Sequence, residues 1–395
     1  MPRPALPPLA LYVHLPWCVR KCPYCDFNSH EVRGALPEAA YVDALLADLD
    51  QEAAAVAGRS LVSVFIGGGT PSLFSAAAVN RLLEGVVARL PGAGEIEVTL
   101  EANPGTVEHG RFAELRAAGV NRLSIGVQSF QSRLLPALGR IHGRAEALAA
   151  VEEAHRAGFD NFNLDLMYGL PGQRLEEAQD DVRTACALSP THISLYQLTL
   201  EPNTRFHRYP PALPGDDSVW TMQRSGQMQL AEAGFPQYEV SAYARPGRRC
   251  RHNVNYWEFG DYIGIGAGAH GKRTELPDWT VNRRWKPRQP RDYLSRAADG
   301  EPLAEERRLD SGDLILEFMM NALRLTGGFP AALFEARTGL PFAAVAGPLA
   351  GAAAAGLVAV GPERVTPTEQ GRRFLNDLLM FFMPREDSVD RTSAG

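Results

Sequence analysis

The feature that most limits how this chain can fold is a regular alternation of short apolar runs with longer amphipathic segments. The runs predict six β-strands, with the sequences LALYVHL, SVFIGGG, EIEVTLEANP, RLSIGVQSF, FNLDLMYGLP and HISLYQLTL. The segments between them predict helices at 38–57, 76–90, 107–118, 144–157 and 175–188. Strands separated by helices pair in parallel, because a parallel connection needs a crossover. The sequence therefore predicts an α/β fold in which residues 1–205 form a partial (β/α)6 barrel of the TIM type.

Polar or glycine residues follow each predicted strand at its C-terminal end. They are His14, the glycine segment 67–70, Glu101, Gln128, Asp165 and Thr199. In a β/α barrel the C-terminal ends of the strands meet on one face, and that face carries the active site. We therefore expect these side chains to surround a common binding site.

The remainder of the chain departs from this alternation. A proline-rich segment at 209–215 precedes a helix at about 216–233 and then short strands. From residue 311 the pattern predicts helices and a hairpin at 357–366, which together resemble a winged helix. We expect an accessory region at 206–305, a helical winged-helix-like domain at 306–385 and a tail at 386–395.

Winged helices can bind nucleic acid, but the charges of this chain do not favour that function. The net charge is −6, and residues 311–380 contain five Arg against six Asp or Glu. A nucleic-acid reader needs a basic face that neutralises phosphates. The C-terminal domain is therefore expected to be a structural or protein-contact module.

The segment 245–291 is the exception to the acidic balance, because it contains eleven Arg or Lys against four Asp or Glu, a local charge of +7. Such a run is commonly a solvated face, and the alternative is a site for a ligand that bears carboxylates.

Compartment can be inferred from the N-terminus and from the cysteines. The first residues, MPRPALPPLA, contain no apolar stretch of signal-peptide length, and no segment is apolar enough to span a bilayer. We expect a cytoplasmic protein, for which peripheral contact with a membrane stays open. In that reducing compartment clustered thiols bind metals or act in catalysis more often than they form disulfides.

Three of the five cysteines, Cys18, Cys22 and Cys25, lie within eight residues. Three soft sulfur ligands on one loop suit zinc, copper(I) or an iron–sulfur centre. Structural zinc would need a fourth ligand, and no second cysteine pair is present, since Cys186 and Cys250 each stand alone. An iron–sulfur cluster held by three cysteines leaves one iron open to an exchangeable ligand.

The motif CxxxCxxC directly after the first strand, with Tyr24 before its last cysteine, resembles the radical S-adenosylmethionine superfamily. The segment IGGGTP at 66–71 resembles the glycine-rich strand end of that superfamily. The likeness extends over nearly the whole chain to the oxygen-independent coproporphyrinogen III oxidase family and, more closely, to its HemW-type haem-chaperone branch. The matching stretches include YVHLPWC, LEANPGT, NLDLMYGLPGQ, SLYQLTLEPNT, RHNVNYW and DYIGIGAGAHG.

This resemblance implies a 4Fe–4S cluster on Cys18, Cys22 and Cys25 and a bound S-adenosylmethionine. The residues that it implies around S-adenosylmethionine are Tyr12, Tyr24, Gly68, Gly69, Thr70, Glu101, Gln128, Arg140, Asp165 and Thr199. Carboxylates suit ribose hydroxyls, and a guanidinium suits a carboxylate.

One position separates the two branches of the family. The oxidases resemble CxxxCxxCxC, whereas this chain has Phe27 in place of the further cysteine. The resemblance therefore implies a haem chaperone that delivers haem to an acceptor protein and whose cluster needs a reductant. Two alternatives stay open, which are oxidative decarboxylation of coproporphyrinogen III and a metal-cluster interaction module without catalysis.

The haem ligand expected from the sequence is His252, in the motif HNVNYW beside the basic residues 248–251, with Cys250 as a weaker candidate. Imidazole is a common axial ligand of haem, and arginines pair with propionates.

Overall fold

The computed structural model describes residues 5–105 and 110–384. Its largest element is one twelve-stranded sheet, whose centre consists of six parallel strands. These strands are β1 (Leu9–Leu15), β2 (Leu61–Gly68), β3 (Gly92–Ala102), β4 (Arg122–Gln128), β5 (Phe162–Tyr168) and β6 (His192–Gln197). They lie side by side in chain order, so each is joined to the next by a crossover. The six predicted strands and their parallel pairing are confirmed.

Helices connect these strands and cover the sheet. The first five are α1 (Glu38–Ala55), α2 (Ala76–Arg89), α3 (Phe112–Ala117), α4 (Arg144–Arg156) and α5 (Leu175–Ala187). Each lies within one of the predicted helical segments, although residues 107–109 of the third segment lie outside the described part of the chain. Because helices pack on the sheet, β4 is buried along its whole length, including its polar residues Arg122, Ser124 and Gln128.

The chain after residue 205 extends both edges of this sheet. Helices α6 (Arg205–Arg208) and α7 (Asp216–Glu232) precede β7 (Gln237–Glu239) and β8 (Ala242–Ala244), and β8 pairs antiparallel with β6. Helix α8 (Arg251–Trp257) then leads to the opposite edge. The strands there are β9 (Asp261–Ile265), β10 (His270–Glu275), β11 (Thr280–Trp285) and β12 (Glu305–Arg308), with α9 (Pro290–Ala298) between the last two.

Strand β9 pairs parallel with β1 and so adds a seventh parallel strand beside the first. The sequence predicts short strands in this region but not their attachment to the edge of the barrel. As a result, the accessory region closes one side of the space above β1.

The C-terminal residues form a second apolar core together with Phe259 and Val281 of the accessory region. Its elements are α10 (Ser311–Ala322), β13 (Phe329–Pro330), α11 (Ala331–Thr338), α12 (Ala346–Ala354), β14 (Val358–Val360), β15 (Arg364–Pro367), α13 (Glu369–Arg373) and α14 (Leu375–Met380). Strands β13, β15 and β14 make a three-stranded sheet, and β14 and β15 are the predicted hairpin. The helices and the small sheet agree with the expected winged-helix-like pattern, whereas the predicted tail at 386–395 lies outside the described residues.

Candidate cluster and cofactor site

The three clustered cysteines lie on a loop that is closed at its base by backbone pairing. The short strands Trp17–Cys18 and His30–Glu31 pair in parallel, and the amide of Val32 donates to the carbonyl of Cys18 at 2.9 Å. Within the loop, the amide of Cys25 donates to the carbonyl of Cys22 at 3.2 Å. All three thiol side chains are half-buried and line one cavity. The structure therefore brings the predicted ligands together.

The glycine segment after β2 packs directly against the base of the cysteine loop. The amide of Thr70 donates to the carbonyl of Trp17 at 2.7 Å, and that of Gly69 to Leu15 at 2.8 Å. A Cβ atom on Gly69 would lie only 2.4 Å from the carbonyl oxygen of Trp17. Only glycine permits this approach, because any side chain would collide with a backbone that is fixed by hydrogen bonds.

The cavity beside the thiols has a volume of about 330 Å³. It is lined by nine of the ten residues that the family resemblance implies for S-adenosylmethionine, namely Tyr24, Gly68, Gly69, Thr70, Glu101, Gln128, Arg140, Asp165 and Thr199. They come from the C-terminal ends of the parallel strands or from the loops that follow, as the barrel predicts.

Tyr12 is the exception among the ten, because its side chain lines an adjoining cavity instead. Its hydroxyl donates to Nδ1 of His14 at 2.9 Å, since Nε2 of that ring donates to the carbonyl of Asn28 at 2.8 Å. Tyr12 and His14 are two residues apart on β1 and so project to the same side. The two cavities share Gly68 and Glu101 in their walls.

Two enclosed carboxyl groups dominate the electrostatics of the first cavity. Burial, together with the nearby charge of Asp165, raises the pKa of Glu101 to about 7. Burial likewise raises the pKa of Asp165, against hydrogen bonds from Asn163 and Ser124. The Glu101 carboxylate accepts from the amide of Gly68 at 3.0 Å. Ligand hydroxyl groups are the donors that would best satisfy such carboxylates.

A hydrogen-bonded chain at the cavity wall includes a residue that the sequence analysis missed. Nη1 of Arg140 donates to Oδ1 of Asn103 at 2.7 Å, and Nδ2 of Asn103 donates to Oγ1 of Thr70 at 3.0 Å. Asn103 lies two residues after Glu101, and this period of two along an extended segment could have identified it. Nε of Arg140 is buried without a partner among the described residues. An anionic ligand group would satisfy it.

The donor set fits an iron–sulfur cluster better than a single metal ion. Burial raises the pKa of Cys18 to about 11 and also raises the pKa of Cys25, so the free thiols are protonated at neutral pH. Metal coordination deprotonates thiols outright. In the described residues no three His, Cys, Asp or Glu side chains gather closely enough to hold one ion. Structural zinc takes four protein ligands, so three thiols on one loop suit a cluster with one open iron better.

The structure encloses the two side chains expected to bind haem. His252 is 1% exposed, with Nδ1 hydrogen-bonded to Ser63 at 3.0 Å and Nε2 to the hydroxyl of Tyr256 at 3.1 Å. Burial lowers the pKa of His252 to about 3, and Arg122 adds to the effect. In this conformation a haem iron could reach neither ring nitrogen. The assignment of His252 stays a prediction, but the geometry gives it a packing role between β2 and α8.

Cys250 is fully buried, and its thiol lies 3.6 Å from a carboxylate oxygen of Glu97. Burial raises the pKa of Cys250 to about 12, so a thiolate is disfavoured there. This environment equally gives no support to Cys250 as a haem ligand. Cys186, in α5, is half-buried against the main core, as its isolated position in the sequence suggests.

This chain is similar in sequence to known proteins over nearly its whole length. Residues 12–185 match the model of the radical SAM superfamily, and residues 309–374 match that of the HemN C-terminal domain. The chain is 52% identical to the heme chaperone HemW of Escherichia coli (strain K12), with 96% of this chain and 99% of that protein covered. It is 49% identical to the heme chaperone HemW of Haemophilus influenzae, with 97% and 100% covered.

Among solved structures, the coproporphyrinogen III oxidase HemN of Escherichia coli, described as a radical SAM enzyme, superposes with a TM-score of 0.80. Its sequence is 25% identical, and the match covers 95% of this chain and 90% of that one. In the described residues there is no helix whose length and apolar character would let it cross a bilayer.

Proposed function

Because the chain belongs to the family of HemW heme chaperones within the radical SAM superfamily, we propose that it binds haem together with a 4Fe–4S cluster and S-adenosylmethionine and delivers the haem to an acceptor protein. The observation that carries the proposal is a single cavity whose walls contain all three clustered cysteines and nine residues suited to S-adenosylmethionine. The proposal also includes a cytoplasmic location, a reductant for the cluster and an acceptor of haem.

Different residues of the cavity would bind the cluster and S-adenosylmethionine. Cys18, Cys22 and Cys25 would ligate three irons, and the fourth iron stays open to S-adenosylmethionine. A reduced cluster, when bound, supplies one electron to S-adenosylmethionine. The carboxyl groups of Glu101 and Asp165 are enclosed acceptors for ribose hydroxyls, while the half-satisfied guanidinium of Arg140 suits the carboxylate of the amino-acid part.

The cluster is tested by anaerobic reconstitution with iron and sulfide of the unaltered chain and of two variants. Cys22→Ala removes a ligand, so we expect iron, acid-labile sulfide and the cluster absorption to fall severalfold. Cys186→Ala is the matched control, since this cysteine lies in α5, away from the cluster loop, and should leave all three unchanged. One zinc and no sulfide in the unaltered chain would instead support a metal module without redox chemistry.

Oxidative decarboxylation of coproporphyrinogen III is the second candidate function. It is favoured by the similarity of the fold to that of HemN. Phe27 weighs against it, because this side chain stands where the oxidases have a further cysteine and is 59% exposed at the mouth of both cavities. The discriminating assay supplies the reconstituted chain with reductant, S-adenosylmethionine and coproporphyrinogen III. Formation of protoporphyrinogen over many turnovers would show an oxidase, whereas a chaperone binds haem and forms no such product.

A further inference from the structure

The cavity that adjoins the cluster site has the size and walls of a site for a large planar ligand. Its volume is about 790 Å³, within the range of ligand pockets. Tyr256, Tyr262 and Trp285 supply aromatic walls, and Phe27 stands where this cavity meets the first one. Tyr256 belongs to the motif HNVNYW, so the motif reaches this cavity through its tyrosine rather than through its buried histidine.

Most groups around this cavity that could bind a haem iron are already engaged. The hydroxyl of Tyr12 is hydrogen-bonded to His14, and both ring nitrogens of His14 are occupied. The hydroxyl of Tyr256 is hydrogen-bonded to Nε2 of His252, and that of Tyr262 accepts from the guanidinium of Arg283. The tyrosines and His14 are therefore held by the protein itself.

His270 differs from these residues in exposure and in its contacts. It is the first residue of β10, its side chain is exposed, and its ring lines the cavity. The ring packs edge-on against Trp285, with 5.9 Å between the ring centroids. No described residue forms a hydrogen bond with the imidazole. Partial burial, together with the charges of Arg283 and Arg288, lowers the pKa of His270, so the ring is uncharged at neutral pH and one of its two nitrogens has a lone pair that can bind metal.

The same wall offers a partner for the negative edge of a porphyrin. Arg288 lines the cavity with its side chain exposed. Its guanidinium group forms no ion pair within the described residues. By contrast, the ammonium group of Lys286, on the same segment, is committed to Asp48 and Glu52 at 2.6 and 2.7 Å. A guanidinium at a cavity edge suits the propionates of haem.

We propose that His270 is the axial ligand of haem bound in this second cavity, with the aromatic side chains against the porphyrin and Arg288 beside a propionate. The inference rests on the proposed haem-binding function and names the site and the ligand for it. It also places haem next to the wall formed by Gly68 and Glu101, directly beside the S-adenosylmethionine cavity.

The test is a ferric haem titration of the full chain without its cluster, followed by absorption and electron paramagnetic resonance spectroscopy. For the unaltered chain we expect the spectrum of imidazole ligation. His270→Ala should lose that signature and weaken haem binding by about tenfold or more. His270→Tyr offers a phenolate in the same place and should convert the spectrum to the tyrosinate type, which a merely structural role of His270 would not do.

His155→Ala is the matched control, because this exposed histidine lies at the end of α4, away from both cavities, and the variant should keep the unaltered spectrum. A His270→Ala protein that binds haem with unchanged affinity and spectrum would overturn this inference and leave the proposed function intact. Absence of haem binding by the unaltered chain would overturn both.

Discussion

Glu101 is a buried acidic side chain that lines both cavities. The carboxyl group lies where both cavities meet, and burial raises its pKa to about 7, far above that of a free glutamate. An acid with a raised pKa stabilises the folded state only while it stays protonated, so this contribution is lost as the pH rises through the folded pKa. The ligand-free protein therefore stores an unfavourable charge that a hydroxyl-bearing ligand relieves.

The substitution Glu101→Gln should stabilise the protein without cluster and ligand at about pH 8, where the native carboxyl is ionised. The shift from 4.5 to about 7 corresponds to between about 1 and 3 kcal/mol in the free energy of unfolding after allowance for water in the cavity. Near pH 5 both proteins carry a neutral group, and the difference should nearly vanish. Urea unfolding at the two pH values measures it. A constant difference across this interval would contradict the raised pKa.

At the scale of elements, the glycine segment after β2 and the cysteine loop after β1 form one unit. Backbone hydrogen bonds from Gly69 and Thr70 to Leu15 and Trp17 fix their separation. The cysteines proposed to hold the cluster and the glycine segment proposed to contact S-adenosylmethionine thus follow neighbouring parallel strands. Their relative position depends on a backbone contact rather than on side-chain packing.

Gly69→Ala should disrupt this unit, since the added methyl group would lie 2.4 Å from the carbonyl oxygen of Trp17. We expect a loss of about 1–3 kcal/mol in stability and a clear fall in iron and sulfide incorporated on reconstitution. Gly347→Ala is the control, because it lies in α12 with open space at the Cβ position and alanine favours helix. Equal cluster content in the Gly69→Ala and unaltered proteins would show that the contact is dispensable.

At the scale of the whole molecule, several cations of the basic segment 245–291 form ion pairs among the accessory strands, with α10 and with the barrel helix α1. Its positive charges pair with acidic groups from other elements, namely Lys272 with Asp261, Lys286 with Asp48 and Glu52, Arg283 with Glu317, and Arg284 with Glu306. These four cations therefore stabilise the packing of the strands and are not available to an anionic ligand. Arg288 at the second cavity is a cation of this segment that stays available.

Lys286→Met should destabilise the protein strongly, because it leaves Asp48 buried on α1 without a cation, while the buried Glu52 keeps only its longer contacts to Arg284 and Arg273. Breaking a buried pair of this kind costs about 3–5 kcal/mol. The control is Arg81→Met, which breaks an exposed pair between α2 and Asp43 on the same helix α1 and should cost less than about 1 kcal/mol. Thermal and urea unfolding of both variants measures the contrast, and similar losses would refute the structural role of Lys286.

The local sequence pattern was sufficient to predict the parallel strands of the barrel and most of the residues that line the first cavity. The alternation of strands and helices determines that β1 to β6 are parallel, and parallel strands bring residues that are far apart in sequence, such as Glu101 and Asp165, to one edge. Cys18, Cys22 and Cys25 lie within eight residues on one loop, so their spacing alone was sufficient to predict that they line one cavity.

The second cavity was decided by the tertiary structure alone. The motif HNVNYW suggested His252 as the haem ligand, but α8 packs this side chain against Ser63 and leaves Tyr256 at the cavity. The exposed position of His270 depends on the pairing of β9 with β1, which joins segments about 250 residues apart. A sequence pattern shows periodicity and spacing within one segment. A strand pairing between distant segments depends instead on which sheet edges and apolar faces remain unpaired when the rest of the chain has folded.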